Sequence, residues 1–185
     1  MDISLLVKVT SKAWSLKILS LMHRGVPGRQ AALLAASGAS RTTFVHSLRH
    51  LESLNLLERN PGHGHPLRPE FRLTQLGEVV ATVAKEIDEI TLDETGSSLL
   101  RKAWTIPVLA VVSQPKKFSD LKLDLNPITD RALSNSLKIL SNQNWIERSV
   151  DIKWRPPRPY YQAINEGAEI NRVVRSSFWE YDEKS

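Results

Sequence analysis

The chain has 185 residues, 41% of them hydrophobic and 24% charged, a composition that fits a folded globular protein and excludes a disordered one. With Cys 0, it has no route to disulfides, thiolate catalysis, thiol redox sensing or cysteine-based zinc sites. The net charge of +5 is a modest basic bias, shared by both halves and compatible with a polyanionic partner.

Taken in chain order, Trp14, Leu16, Ile18, Leu19 and Met22 recur at helical spacing. Gly25-Val-Pro-Gly28 ends that helix, because proline cannot continue it and glycine tolerates a left-handed cap. Gln30 to Ser37 is a short Ala/Leu-rich helix, Gly38-Ala39 a turn, and Ser40 a good N-cap for a third helix. In that helix Phe44, Leu48, Leu51 and Leu54 mark one buried face. Leu56 to Arg59 and Phe71 to Leu73 are strand candidates flanking a Gly/His/Pro loop, the pattern of a hairpin with a long tip. Gly77 to Ile90 closes the series as a helix with Val79, Val80, Val83, Ala84 and Ile87 apolar, and the acidic, turn-like stretch Thr91 to Gly96 follows.

The same order then returns. Trp104, Val108, Leu109 and Val112 belong to a first helix, and Phe118, Leu121 and Leu125 lie around the next. Thr129 replaces Ser40 as N-cap, and Leu133, Leu137 and Leu140 form the core stripe. Tyr160, Tyr161 and Ile164 take the second strand, and Glu166 to Phe178 closes the copy with Ile170 and Val173 buried. The correspondence is residue by residue. Trp14 answers to Trp104 at an offset of 90, Ser40–Leu51 to Thr129–Leu140 at 89, and Arg68 and Gly77 to Arg158 and Gly167 at 90 again. The length differences fall in two short connections, where insertions are absorbed. Two domains are therefore expected, 1–90 and 91–185, each near the lower size limit for a stable core. The predicted fold class is mainly α with small β-hairpins (α+β), arranged as two tandem winged helix-turn-helix domains.

In such a unit the third helix enters the major groove and the hairpin tip lies along the backbone or in the minor groove. Opposite the Phe44/Leu48/Leu51 stripe stand Arg41, Thr42, His46, Arg49 and His50, with no acid before Glu52. Arginine can pair bidentately with guanine, and the hydroxyls can reach bases or phosphates. The second copy offers Arg131, Ser134, Asn135 and Lys138 on the matching face, with Asn135 suited to adenine and Asp130 a less welcome neighbour for phosphate. In the wings, His63, His65 and Arg68 of the first copy and Lys153, Trp154, Arg155 and Arg158 of the second are the candidate phosphate or minor-groove contacts.

Several stretches resemble one family: Trp104-Thr-Ile-Pro-Val-Leu109, Lys117-Phe-Ser-Asp-Leu121, Ile128-Thr-Asp-Arg-Ala-Leu133, Leu137-Lys-Ile-Leu140, Ile146-Glu-Arg148 and Pro157-Arg-Pro-Tyr-Tyr161 up to Gly167. They are similar to the HxlR-type winged-helix regulators, relatives of the MarR group. The first copy resembles them more loosely through Trp14-Ser-Leu-Lys-Ile-Leu19, Leu48 to Leu51 and Leu57-Glu-Arg59. The resemblance implies bacterial or archaeal transcription factors that bind pseudo-palindromic double-stranded DNA. The chain departs from the family pattern by carrying two units, where members usually have one and dimerise. It also lacks the sensing cysteine that many members carry before the tryptophan, so thiol-based induction does not transfer.

The expectation is thus a sequence-specific transcriptional regulator using its two units as an intramolecular pseudo-dimer, with a further homodimer left open and the effector unknown. A tandem winged-helix interaction adaptor, chromosome-organising or polymerase-associated, is the rival, and a plasmid-type replication initiator is a third reading. An adaptor calls for an acidic or apolar third helix, and both third helices here carry Arg/Lys, hydroxyl and amide groups. No Gly-rich phosphate loop, nucleophile elbow or close acid pair points to an enzyme or a cofactor. Four histidines split between helix and wing without a carboxylate are a weak zinc signal, so no metal is expected. The tryptophans are expected as core plugs, Trp154 excepted, and Asp120 and Asp124 as solvated. No run approaches a membrane span, and Met1–Lys8 lacks the basic start and long apolar stretch of a signal peptide. The expected location is the cytoplasm, on the nucleoid when bound to DNA.

Overall fold

The computed structural model describes residues 3–60, 70–91, 93–152 and 157–179. Packing groups the chain into two compact units, one of residues 8–101 and one of residues 1–7 together with 102–185. The repeat marks where each sequence copy begins, whereas packing marks which core a segment completes. Residues 91–101, which lead the second copy in sequence, pack with the unit 8–101.

A helix α1 (Ile3–Thr10) precedes everything read from the sequence, with Leu6 and Val9 buried. In the unit 8–101 there follow α2 (Ser15–His23), α3 (Gln30–Ser37), α4 (Arg41–Ser53), β1 (Leu57–Asn60), β2 (Glu70–Leu73), α5 (Gln75–Ile90) and α6 (Glu94–Leu100). The helix α2 lies along α5, burying Ile18 and Leu19 against the stripe Val80, Val83, Ala84 and Ile87. A polar clamp fastens the same two helices: both carboxylate oxygens of Asp88 accept from Lys17 Nζ at 3.0 Å, one also accepts from Ser20 Oγ at 3.1 Å, and Arg24 Nη2 lies 3.1 Å away. Gly38, at φ +72°, caps α3 in the left-handed region and makes the turn into α4. The hairpin pairs Leu57 with Leu73 and Arg59 with Phe71.

Helix α6 corrects the expectation that Thr91 to Gly96 is turn-like. Asp93 is its N-cap, its Oδ1 accepting the Gly96 N–H at 2.7 Å, and Leu99 is buried. An acidic stretch that reads as a turn is here the polar entrance of a helix, where carboxylates satisfy free N–H groups.

The other unit contains α7 (Thr105–Val111), β3 (Lys116–Lys117), α8 (Phe118–Asp124), α9 (Asp130–Asn142), β4 (Ile146–Asp151), β5 (Arg158–Ala163) and α10 (Asn165–Trp179). The sheet is antiparallel in the order β3-β5-β4, so the expected two-stranded hairpin gains a short third strand, Lys117 pairing with Tyr160. The last carbonyls of α7 run out of helical donors. Asn171 of α10 supplies them, Nδ2 donating to Leu109 O at 2.7 Å and Ala110 O at 3.1 Å. In α10 the buried pair is Ile170 and Val174; Val173, expected inside, is half-buried. One helical turn separates Ile170 from Val174, so spacing by four wins over spacing by three.

The asparagine shared by the copies has a backbone reason. Asn55 and Asn144 adopt φ of 55° and 60°, in the left-handed region that asparagine tolerates better than most residues. Each turns the chain from the third helix into a strand, and each carbonyl is tied from the far side of the hairpin, Asn55 O by Thr74 Oγ1 and Asn144 O by Asn165 Nδ2.

Candidate nucleic-acid interface

Helix α4 is built to present one face. Ser40 caps it by accepting the Thr43 N–H, and Phe44, Leu48 and Leu51 are buried. Arg41, Thr42, His46 and Arg49 are all exposed on the opposite side. His50 is different. It is half-buried, and its Nε2 lies 2.7 Å from the Lys8 carbonyl and 3.2 Å from Ser11 Oγ. A carbonyl can only accept, so this nitrogen donates to it. With Ser47 Oγ accepting the Trp14 N–H at 3.3 Å, His50 ties α4 to the corner between α1 and α2.

Helix α9 repeats the plan. Thr129 Oγ1 accepts the Ala132 N–H at 3.2 Å, Leu133, Leu137 and Leu140 are buried, and Arg131, Ser134, Asn135 and Lys138 are exposed. These four side chains line one shallow depression of about 630 Å³. The acid beside them is neutralised: Lys122 Nζ of α8 lies 2.5 Å from Asp130 Oδ1. Asp124, expected as solvated, pairs with Lys116 Nζ at 2.6 Å, while Asp120 accepts from its neighbour Ser119.

Of the wing residues, Arg158 opens β5 opposite Asp151, half-buried. His63, His65, Arg68, Lys153, Trp154 and Arg155 lie outside the described residues. Beside the wing, a second depression of about 310 Å³ contains side chains that the sequence did not mark as site residues, among them Phe118, Ser141, Arg148 and Tyr161, with Ser134 and Lys138 shared from α9. Helix periodicity could not have found them, because they converge from α8, α9, β4 and β5. Lys117 Nζ, 5.8 Å from the Tyr160 ring centre, adds a cation near the sheet.

A third concavity, about 510 Å³, lies among α2, α5 and α6. There the Arg101 guanidinium sits 4.9 Å above the ring of Trp14. Trp145, 2% exposed, is a core plug as expected; Trp14 and Trp104 are half-buried instead. Among the described residues, no group of three or more His, Asp or Glu stands where it could hold a metal ion, and no helix is long and apolar enough to cross a membrane.

The sequence pattern of the HxlR-like helix-turn-helix family matches the chain twice, over residues 9–96 and 99–181. Among curated proteins, none matches at a significant level. Among solved structures, one similar chain is that named a MarR-family transcriptional regulator from Porphyromonas gingivalis W83. It is 18% identical over 46% of this chain and 89% of that one, with a TM-score of 0.41.

Proposed function

Because the chain belongs to the HxlR-like helix-turn-helix family, we propose that it is a sequence-specific, double-stranded-DNA-binding transcriptional regulator whose two winged-helix units act as an intramolecular pseudo-dimer. The observation that carries this reading is the recurrence of one surface. Both α4 and α9 bury a leucine-rich stripe and expose basic, hydroxyl and amide or imidazole groups on the other side. In this reading Arg41 and Arg49 are the principal base readers, supported by Thr42 and His46, while Arg131, Ser134, Asn135 and Lys138 engage the other half-site. His63, His65, Arg68, Lys153, Trp154, Arg155 and Arg158 approach the backbone or minor groove from the wings. His50, bound to the Lys8 carbonyl, positions α4. The chain acts as a regulator and not an enzyme, in the cytoplasm and on the nucleoid when bound. The two-unit chain supplies by covalent linkage what one-unit relatives obtain by dimerising, and the second unit then binds at a high effective concentration.

The test is a fluorescence anisotropy titration with random-sequence duplex at two salt concentrations. A DNA-binding protein loses affinity linearly in log salt, by about 0.9 per phosphate contacted. An interaction adaptor shows no saturable, salt-dependent binding, and that result would overturn the reading. A replication initiator would bind DNA too. It separates from a regulator because its preferred sites, selected from genomic fragments, fall at replication origins and not upstream of genes.

A further inference from the structure

The two copies diverge at one place where their structures can be laid side by side. In the first, Arg59 of β1 lies 3.6 Å from Glu52 at the end of α4 and 5.4 Å above the Phe71 ring, its partner across the hairpin. Its charge is neutralised and its face covered. In the second copy the corresponding residues are Arg148, Ser141 and Tyr161, and Arg148 again faces its aromatic partner in register. The acid has become a serine. Arg148 is exposed and has no carboxylate partner among the described residues. It lines the depression of about 310 Å³ together with Lys138, Ser134, Ser141, Asn142 and Tyr161. Two cations, two serine hydroxyls, an amide and a phenol thus converge on one open hollow without a carboxylate among its lining residues.

We propose that this hollow in the second unit, formed by Arg148, Lys138, Ser141 and Tyr161, is a subsite for a DNA backbone phosphate, and that Glu52 closes the corresponding subsite in the first unit. The proposal rests on the DNA-binding reading and deepens it. Guanidinium and ammonium groups supply the charge that releases counterions, and hydroxyl and amide donors supply the directional hydrogen bonds that a phosphodiester oxygen accepts. The hollow adjoins the exposed face of α9 through Ser134 and Lys138, which line both depressions. A strand whose bases are read by that face therefore passes its backbone over Arg148. A phosphate contact is indifferent to sequence, so the second unit grips DNA where the first discriminates.

The repeat provides reciprocal variants. Ser141→Glu installs in the second copy the acid of the first, and Glu52→Ser opens the first copy as the second is open. With random duplex, Ser141→Glu should make the slope of log affinity against log salt shallower by about 0.9, the share of one phosphate, and Arg148→Gln should do the same. Glu52→Ser should steepen it by a similar amount. Thermal unfolding checks that each variant folds, and Arg148→Gln and Glu52→Ser carry the test if Ser141→Glu does not. A wild-type protein without salt-dependent DNA binding would overturn the functional reading itself. Wild-type binding with the slope unchanged in Arg148→Gln and Glu52→Ser would overturn the subsite alone. Inorganic phosphate, exchanged for chloride at constant ionic strength, separates the backbone from the free ion. Millimolar phosphate that raises the melting temperature of wild type but not of Arg148→Gln, while leaving duplex affinity unchanged in both, would assign the hollow to the free ion and overturn the proposal.

Discussion

Gly77 stands against the carbonyl of Leu56 so closely that a β-carbon on it would lie 2.0 Å from the oxygen. Gly167 stands the same way to the carbonyl of Trp145, at 2.1 Å. In each copy the first turn of the closing helix is packed onto the chain just before the hairpin, where the Leu56 carbonyl accepts from Thr74 N and the Trp145 carbonyl from Ile164 N. The obstacle is backbone on both sides, so neither partner can swing away. Gly77→Ala and Gly167→Ala should each destabilise the protein by about 1–3 kcal/mol, the range of overpacked substitutions, read as a lower urea midpoint. An unchanged midpoint would show that the hairpin base yields.

The clamp at Asp88 is a second point of stability. Its side chain is 16% exposed and faces two cations, Lys17 and Arg24, with Ser20 donating as well. Asp88→Asn keeps the shape but leaves the two cations without their shared counter-charge. The expected loss is about 1–3 kcal/mol in urea unfolding, held below the value for a fully buried pair because Lys17 and Arg24 retain contact with water.

If α6 completes the core of the unit 8–101, where a fragment is cut matters more than the repeat boundary suggests. Leu100, Ser97 and Arg101 share a concavity with Trp14, Leu16 and Ile87. A fragment of residues 1–101 should show a cooperative thermal transition at a higher temperature than a fragment of residues 1–90. Equal transitions would mean that α6 adds nothing to that core.

On DNA, two reading helices in one chain should protect two half-sites centred about 10 base pairs apart, one turn of the duplex. Hydroxyl-radical footprinting on a selected binding site measures this at a stoichiometry of one chain per site. A single protected half-site, or protection requiring two chains, would remove the pseudo-dimer.

The units should also divide their work. Arg41→Ala should cost about 1–3 kcal/mol on the preferred site and relax its specificity, whereas Lys153→Ala should weaken all sequences alike and reduce the salt slope by about one. Competition titrations with specific and random duplexes distinguish the two. Equal losses on both DNAs for both variants would count against the division.

The repeat, the order of the four helices and hairpin first read in each copy, the capping residues Ser40 and Thr129 and the exposed faces of α4 and α9 could all be read from the sequence. Each depends on residues within a few positions of one another: a stripe such as Leu133, Leu137 and Leu140, a cap three residues from the N–H it satisfies, a glycine at the turn. The rest required the folded chain. Helix α6 begins in an acidic stretch whose meaning depends on the Asp93–Gly96 cap. The strand β3 has two residues and exists only through its pairing with β5. His50 looks like a partner of His46 along the helix, until Lys8, 42 positions away, takes its ring nitrogen. Arg59 and Arg148 occupy equivalent places opposite aromatic partners, and the exchange of Glu52 for Ser141 acquires its meaning only once the end of the preceding helix is packed beside the strand. Local spacing decides which face of an element is buried, because that depends on the helical and strand periods alone. What a polar side chain does on the open face depends on which distant groups the packed chain brings within hydrogen-bonding or ion-pairing distance, and those distances exist only once the elements have closed on one another.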